Sequence, residues 1–224
     1  MRIRWYGQSA YTLAGAERTV TIDPFADMSA LLGGRRRFDY PPVPEHAADL
    51  LLVTHEHADH NGVGAVTGDP HVVRSTAGRF ETPVGEVVAV ASEHDAEAGT
   101  SRGPNTIFVF TLDGMRVCHF GDFGQTALRP EQRAAIGAVD ILILPVGGGP
   151  TIDAAQAAEI TRTLAPRWVV PMHYRTPAID FLETADAFLG MFDEVVESGA
   201  EHAIEQDGVE RTGVLHLAAP SGRD

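Results

Sequence analysis

Short runs of β-branched and aliphatic residues recur along the whole of this 224-residue chain. The segments RIRWY, YTLAG, TVTID, LLLVT, HVVR, EVVAVAS, TIFVFTL, MRVCHF, DILILP, RWVVPM and VLHLAAP all have the length and composition of strands. So many strand-length segments limit the chain to a sheet-rich fold. Two stretches break the rhythm with helical signals. One runs from about Ile152 to Leu164, between Pro150 and Pro166, with Thr151 or Asp153 near its N-cap. A second helix is expected over Phe181 to Glu197, where Asp180 with Glu183 resembles a capping box and Gly199 supplies a stop. A further short helix is expected after His60. No repeat, low-complexity tract or linker divides the chain, so one domain over residues 1–224 is expected. The stretch GGRRRFDYPPVPEH, residues 33 to 46, reads as an exposed loop beside whatever follows LLLVT.

Composition narrows the partners. A hydrophobic content of 44% in 224 residues is enough to bury one substantial core. A formal charge of -14, from 17 basic and 31 acidic residues, repels phosphate backbones and anionic lipid, so nucleic acid is not an expected partner. The N-terminal MRIRWYGQSAYTL lacks the unbroken apolar stretch of a signal peptide, and no window approaches the roughly 20 apolar residues of a membrane span. The single cysteine, Cys118, has no partner for an internal disulfide and reads as a small buried hydrophobe. A cytoplasmic protein without a membrane span is expected. Association into homo-oligomers stays open, because no unusual interface stripe stands out.

The stretch THEHADHNG, residues 54 to 62, concentrates metal-ligating side chains. His55 and His57 are two apart, so in an extended segment both point to one side and suit one ion, whereas on a helix they would diverge by about 200°. Asp59 and His60 follow at once and can face a neighbouring ion once the chain turns. The same placement recurs downstream. His94 follows EVVAVAS, Asp122 follows MRVCHF and a glycine, His173 follows RWVVPM, and Asp23 ends TVTID. If those strands share one edge of the sheet, all the side chains converge there, where open α/β folds tend to place their sites.

THEHADH, SEHD, HFGD and PMHY, in that order and framing, resemble the metallo-β-lactamase superfamily. The match looks closest to its branch of ascorbate-6-phosphate-lactonase-like metal-dependent hydrolases, and it runs from WYGQSAYTL and TIDPF to PMHYRT. The resemblance implies a four-layer αββα sandwich, with the site at one edge between the two sheets. It implies that His55, His57 and His94 bind a first metal, that Asp59, His60 and His173 bind a second, and that Asp122 bridges both. Two divalent ions are expected. Zinc comes first, with manganese, iron or nickel also compatible, since imidazole and carboxylate suit all four and no cysteine biases the set. The implied chemistry is hydrolysis of a small ester, lactone or phosphodiester by a hydroxide bridging two metals. Asp122 and Asp59 are its catalytic carboxylates, Asp59 orienting the hydroxide and passing on its proton. An iron-bearing redox or oxygen-handling protein on the same scaffold is the alternative.

Supporting roles remain two-sided at this level. Asp23 either accepts the free N–H of a metal-bound histidine or caps the turn at DPF. His119 either touches substrate and backs up Asp122 or is a hydrogen-bonded interior histidine. Tyr174 and Arg175 follow His173, where Arg175 binds an anionic substrate or makes a surface ion pair. Arg35, Arg36 and Arg37 attract an anion or form a solvated face, and the glycines of PVGGGPTID offer backbone N–H groups or make an ordinary turn. Glu56 should point away from the metals. His46, His71, His202 and His216 have no ligand spacing and read as surface or satisfied-core residues.

Overall fold

The computed structural model describes residues 1–28, 36–205 and 212–220. Its N-terminal part supplies β1 (Arg2–Gly7), β2 (Ala10–Ala14), β3 (Thr19–Ile22), β4 (His46–Ala47), β5 (Leu50–Val53), β6 (Val66–Thr67) and β7 (His71–Arg74). Next come β8 (Gly78–Thr82), β9 (Gly85–Glu93), β10 (Pro104–Leu112), β11 (Met115–His119), α1 (Pro130–Ile136), β12 (Ile141–Pro145), α2 (Ala154–Leu164) and β13 (Trp168–Met172). The chain closes with α3 (Asp186–Leu189), β14 (Val195–Ser198), β15 (Glu201–Ala203) and β16 (Gly213–Leu217).

Among the described residues the strands form a six-stranded sheet, ordered β15-β1-β2-β3-β5-β7, and an eight-stranded sheet, ordered β14-β16-β13-β12-β11-β10-β9-β8. A small pair, β4-β6, stands apart. Strand β1 alternates buried Ile3 and Trp5 with exposed Arg2 and Arg4, the period-two pattern of a sheet with one wet face. Strands β12 and β13 are buried at every position and pair in parallel, as continuous apolar runs do when both faces are covered. Ile3, Leu13, Ile22 and Leu52 from one sheet pack with Phe108, Phe110, Val117 and Leu142 from the other in one core, so the sheets stack face to face. Helices α1 and α2 lie against the eight-stranded sheet. On the outer side of the six-stranded sheet, Leu51 and Val53 are covered by Val66, Ala48 and Val63.

The first predicted helix forms as α2. Asp153 caps it by accepting Gln156 N–H at 2.9 Å, Gln156 returns the bond, and the chain leaves through Ala165 in the left-handed region before Pro166. The second does not form. Only α3 is helical within Phe181 to Glu197. Its approach is held by backbone bonds from Glu183 N–H to Gly147 O and from Arg175 N–H to Glu183 O, while Val195 and Val196 pair with β16. Tertiary pairing of β-branched residues outweighs the local helical pattern. After His60 there is a single 3-10 turn, Val63–Ala65. Helix α1, which the sequence reading missed, starts at Pro130 in its first turn, with Gln132 Oε1 accepting Arg129 N–H.

The loop reading of residues 33 to 46 is also corrected over its described part; residues 33–35 lie outside the described residues. Phe38, Tyr40 and Val43 are buried, and they join Phe25, Ala178, Ile179 and Leu182 in a second small core. Alternate aromatic residues turn inward while Arg37 and Asp39 stay out, so the segment packs beside the chain that follows His173.

Candidate metal centre

β3 and β5 are parallel neighbours, β11, β12 and β13 run parallel, and β9 has the same direction as β11 because each is antiparallel to β10. Their C-terminal ends therefore open on one edge, which carries Asp23, His55, His94, Asp122 and His173. The side chains meet in three overlapping groups whose ligand atoms lie within 4.8 Å of one another: His55, His57 and His94; His55, His60 and Asp122; and Asp59, Asp122 and His173.

Asp122 is the centre of the set. Its Oδ2 lies 3.3 Å from His60 Nε2, 3.2 Å from His94 Nε2 and 3.2 Å from His173 Nε2, while its Oδ1 accepts a bond from Ser9 Oγ at 3.0 Å. Its backbone N–H donates to Asn105 Oδ1, and Asn105 in turn donates to Ser92 and to Phe120 O. The preceding Gly121 is required twice over. Its φ is 55°, and a Cβ there would sit 2.4 Å from Asn105 Oδ1 and 2.7 Å from Thr54 Cβ.

A single buried carboxylate orients two of the imidazoles. Asp23 Oδ2 accepts His60 Nδ1–H at 2.9 Å, which turns His60 Nε2 toward the centre. The same oxygen accepts Thr54 Oγ1–H at 2.7 Å, and Thr54 Oγ1 accepts His55 Nδ1–H at 3.0 Å, which turns His55 Nε2 inward as well. Asp23 Oδ1 takes the Thr54 backbone N–H at 2.7 Å. His94 is fixed by donating Nδ1–H to Pro150 O at 3.1 Å. Beyond it, Asp95 gathers the backbone N–H groups of Glu97, Gly99, Ser101 and Arg102, which shapes the loop after His94.

Burial and close charges displace the pKa values of the clustered groups. Burial opposes charge on His60, yet the carboxylates of Asp122, Asp59 and Asp23 hold its pKa well above the ordinary imidazole value. His55 is held far below it by burial and then by His60, and His57 is lowered by burial and by His94. Burial pushes the Asp122 carboxyl upward, but His173 and His60 win and hold it well below the usual carboxylate range. His60 Nε2 is buried without a hydrogen bond, and the donor set is all imidazole and carboxylate, so the residues fit divalent transition ions.

Other residues singled out in the sequence lie elsewhere. His119 is buried beneath the centre; its Nδ1 accepts Gly121 N–H and its Nε2–H donates to Ser9 O, so it braces two turns. Tyr174 points away, with its hydroxyl on His216 Nε2 at 3.1 Å and its ring against Trp5. Arg175 donates Nε–H to Leu182 O and lies 4.0 Å from Glu183, so it ties down its own loop. Arg37 is bonded to Pro177 O and, through its backbone, to Asp180, and Arg36 lies over the Phe181 ring; Arg35 lies outside the described residues. Gly147 N–H and Gly148 N–H are taken by His173 O and Ile152 O. Glu56 points away into a two-bond pair with Arg74 that lowers its pKa to about 2. His46 bonds to Thr21, Thr12 and Pro44 O, and Cys118 is buried.

Sequence reasoning passed over Gln8, Ser9 and Thr54. Gln8 and Ser9 occupy the turn joining β1 to β2, and Gln8 Nε2–H donates to Asp59 Oδ2 at 3.4 Å. The available signal was positional: a polar turn between two strands, and a hydroxyl residue directly before His55.

A family model described as a β-lactamase superfamily domain matches residues 2–173. A solved structure from Thermotoga maritima, described as a candidate Zn-dependent hydrolase of the metallo-β-lactamase superfamily, aligns with a TM-score of 0.78 at 29% identity, over 97% of this chain and 99% of its own. This chain belongs to the metallo-β-lactamase superfamily. Within it, a UPF0173 metal-dependent hydrolase of Thermococcus kodakarensis is 30% identical across 79% of this chain and 85% of the relative. The chain is accordingly placed among the superfamily's metal-dependent hydrolases. A diiron β-hydroxylase from Streptomyces venezuelae shares the fold alone, with a TM-score of 0.59 at 19% identity over 96% of this chain and 53% of that one. The narrower ascorbate-6-phosphate-lactonase branch stays an expectation from sequence.

Proposed function

We propose that this superfamily member holds two divalent ions, His55, His57 and His94 on the first, Asp59, His60 and His173 on the second, with Asp122 between them, and that it hydrolyses a small ester, lactone or phosphodiester. The observation that carries this reading is the single Asp122 oxygen ringed at 3.2–3.3 Å by three imidazole Nε2 atoms from three separate segments. When bound, such ions supply a Lewis acid for the scissile oxygen and a water acidic enough to serve as nucleophile near neutral pH. Zinc is the first expectation, with manganese, iron and nickel compatible with the same donors.

The chain's own residues divide the remaining work. Asp122, buried and fixed by Ser9 and Asn105, stays ionised and holds the imidazoles around it. Asp59 is the more open carboxylate, its side chain 24% exposed, so it is placed to hold a proton and release it to a leaving group.

Elemental analysis of protein purified without chelator or added metal tests the reading. Close to two transition-metal ions per chain are expected in the wild type, falling sharply in Asp122→Ala. The loaded wild type should then cleave members of a panel of p-nitrophenyl esters, lactones and bis(p-nitrophenyl) phosphate. A wild type that neither carries nor takes up zinc, manganese or iron would falsify the two-ion centre.

A further inference from the structure

The turn between β1 and β2 adopts a conformation that its role as a connection does not explain. Gly7 has a φ of 103° and Gln8 a φ of 48°, and the pairing of β1 with β2 shifts register between Trp5 and Gly7. Glycine or asparagine occupies the left-handed region more readily than glutamine does, so the reason for Gln8 lies in its side chain. That side chain is buried, with only 1% of the residue exposed. Its Nε2–H donates to Asp59 Oδ2 at 3.4 Å, and its Oε1 has no partner among the described residues. Exchanging the two ends of the amide would set an oxygen against a carboxylate, so Asp59 fixes which end faces it.

The turn itself is held by other groups. Gln8 O accepts Trp5 Nε1–H at 3.0 Å and His173 N–H at 3.4 Å, and the Gln8 side chain takes no part in either bond. Asp59 depends more on Gln8 than the turn does. Asp23 accepts hydrogen bonds from Thr54 and His60 and Asp122 from Ser9, but Gln8 is the one hydrogen-bond donor to the Asp59 carboxylate among the described residues.

We propose that Gln8 is a positioning residue of the metal centre, whose side-chain amide holds Asp59 in line with His60, Asp122 and His173 so that the second ion is bound. This rests on the two-ion reading above. The test is titration of metal-free protein with Co2+ against a competing chelator, with the visible absorption of the bound ion reporting its ligands. Wild type takes up two ions. Gln8→Leu, which removes the donor, and Gln8→Asn, which keeps an amide but shortens its reach, bind the first ion as tightly as wild type and the second about tenfold more weakly. Asparagine is at home at positive φ, so that variant keeps the test open if the leucine variant does not fold. Gln8 acts through Asp59, so Gln8→Asn made in an Asp59→Asn background produces no further loss, whereas a merely structural residue would weaken binding in both backgrounds. Two ions in wild type with wild-type affinity in both variants, or an equal loss in both backgrounds, overturns the role of Gln8 alone. Fewer than two ions in wild type overturns the two-ion reading, and this proposal with it.

Discussion

Thr54 shows how much of the site's order can rest on one hydroxyl. It passes the orienting effect of Asp23 to His55, while His60 meets Asp23 directly. Thr54→Val keeps the shape and the backbone bond to Asp23 but removes the relay, so affinity for the first ion should fall roughly 10- to 100-fold and the second should change little. Asp23→Asn should weaken both. Metal titration of the two variants distinguishes them, and equal losses at both sites in Thr54→Val would refute the relay. Cys118 gives a further expectation. It is buried in β11, and burial pushes its thiol pKa up, so it should resist thiol reagents at pH 8 until the protein unfolds. The clustering of these side chains was legible in the sequence because histidine and aspartate at strand ends are distinctive. Thr54, Ser9 and Gln8 were not, since ordinary polar residues gain a role only from partners far along the chain. Arg175 and Tyr174 were open for the same reason: adjacency to His173 does not say where a side chain turns, and here one meets Leu182 O and the other His216.

At the scale of elements, the centre depends on how closely strand-end loops approach one another. Gly124 and Gly147 have no unusual backbone angle, yet a Cβ on Gly124 would lie 2.5 Å from the His94 carbonyl, and one on Gly147 would lie 2.3 Å from the His173 oxygen. Gly124→Ala and Gly147→Ala should each cost about 1–3 kcal/mol, measured as a fall in chemical-denaturation midpoint, with weaker metal uptake in the same proteins. Unchanged stability in both would mean that these loops have room to give. The strands were largely legible because β-branched runs fit a pleated surface, and α2 because its proline borders and Asp153 cap agree with its packing. The predicted helix over Phe181 to Glu197 failed where long-range pairing decided. Glu183 is fixed by Gly147 and Val195 by β16, and no local pattern records either partner.

Across the whole molecule, stability should follow both metal and pH. An ion that binds only the folded chain stabilises it by about 2.7 kcal/mol at a hundredfold excess over Kd, or roughly 5–11 °C in Tm for a chain of this size. Exhaustive chelation should lower Tm accordingly, and a Tm indifferent to metal would contradict the site. Asp49 sets an acid limit: Thr19 N–H first, then Arg18, lower its carboxyl pKa. Because the folded value lies below the unfolded one, this stabilisation is fully present above about pH 4 and fades as pH falls through the native value. The Tm gap between wild type and Asp49→Asn should therefore be present at pH 7 and narrow as pH falls below about 4; a gap that widens in acid would reverse the assignment. The carboxylate at the hub has a consequence for folding itself. Ser9 and Asp122, which bond directly, are 113 residues apart, so the hub closes only after distant strands have met. Metal loading should therefore slow unfolding more than it changes the refolding rate, as stopped-flow traces with and without metal would show.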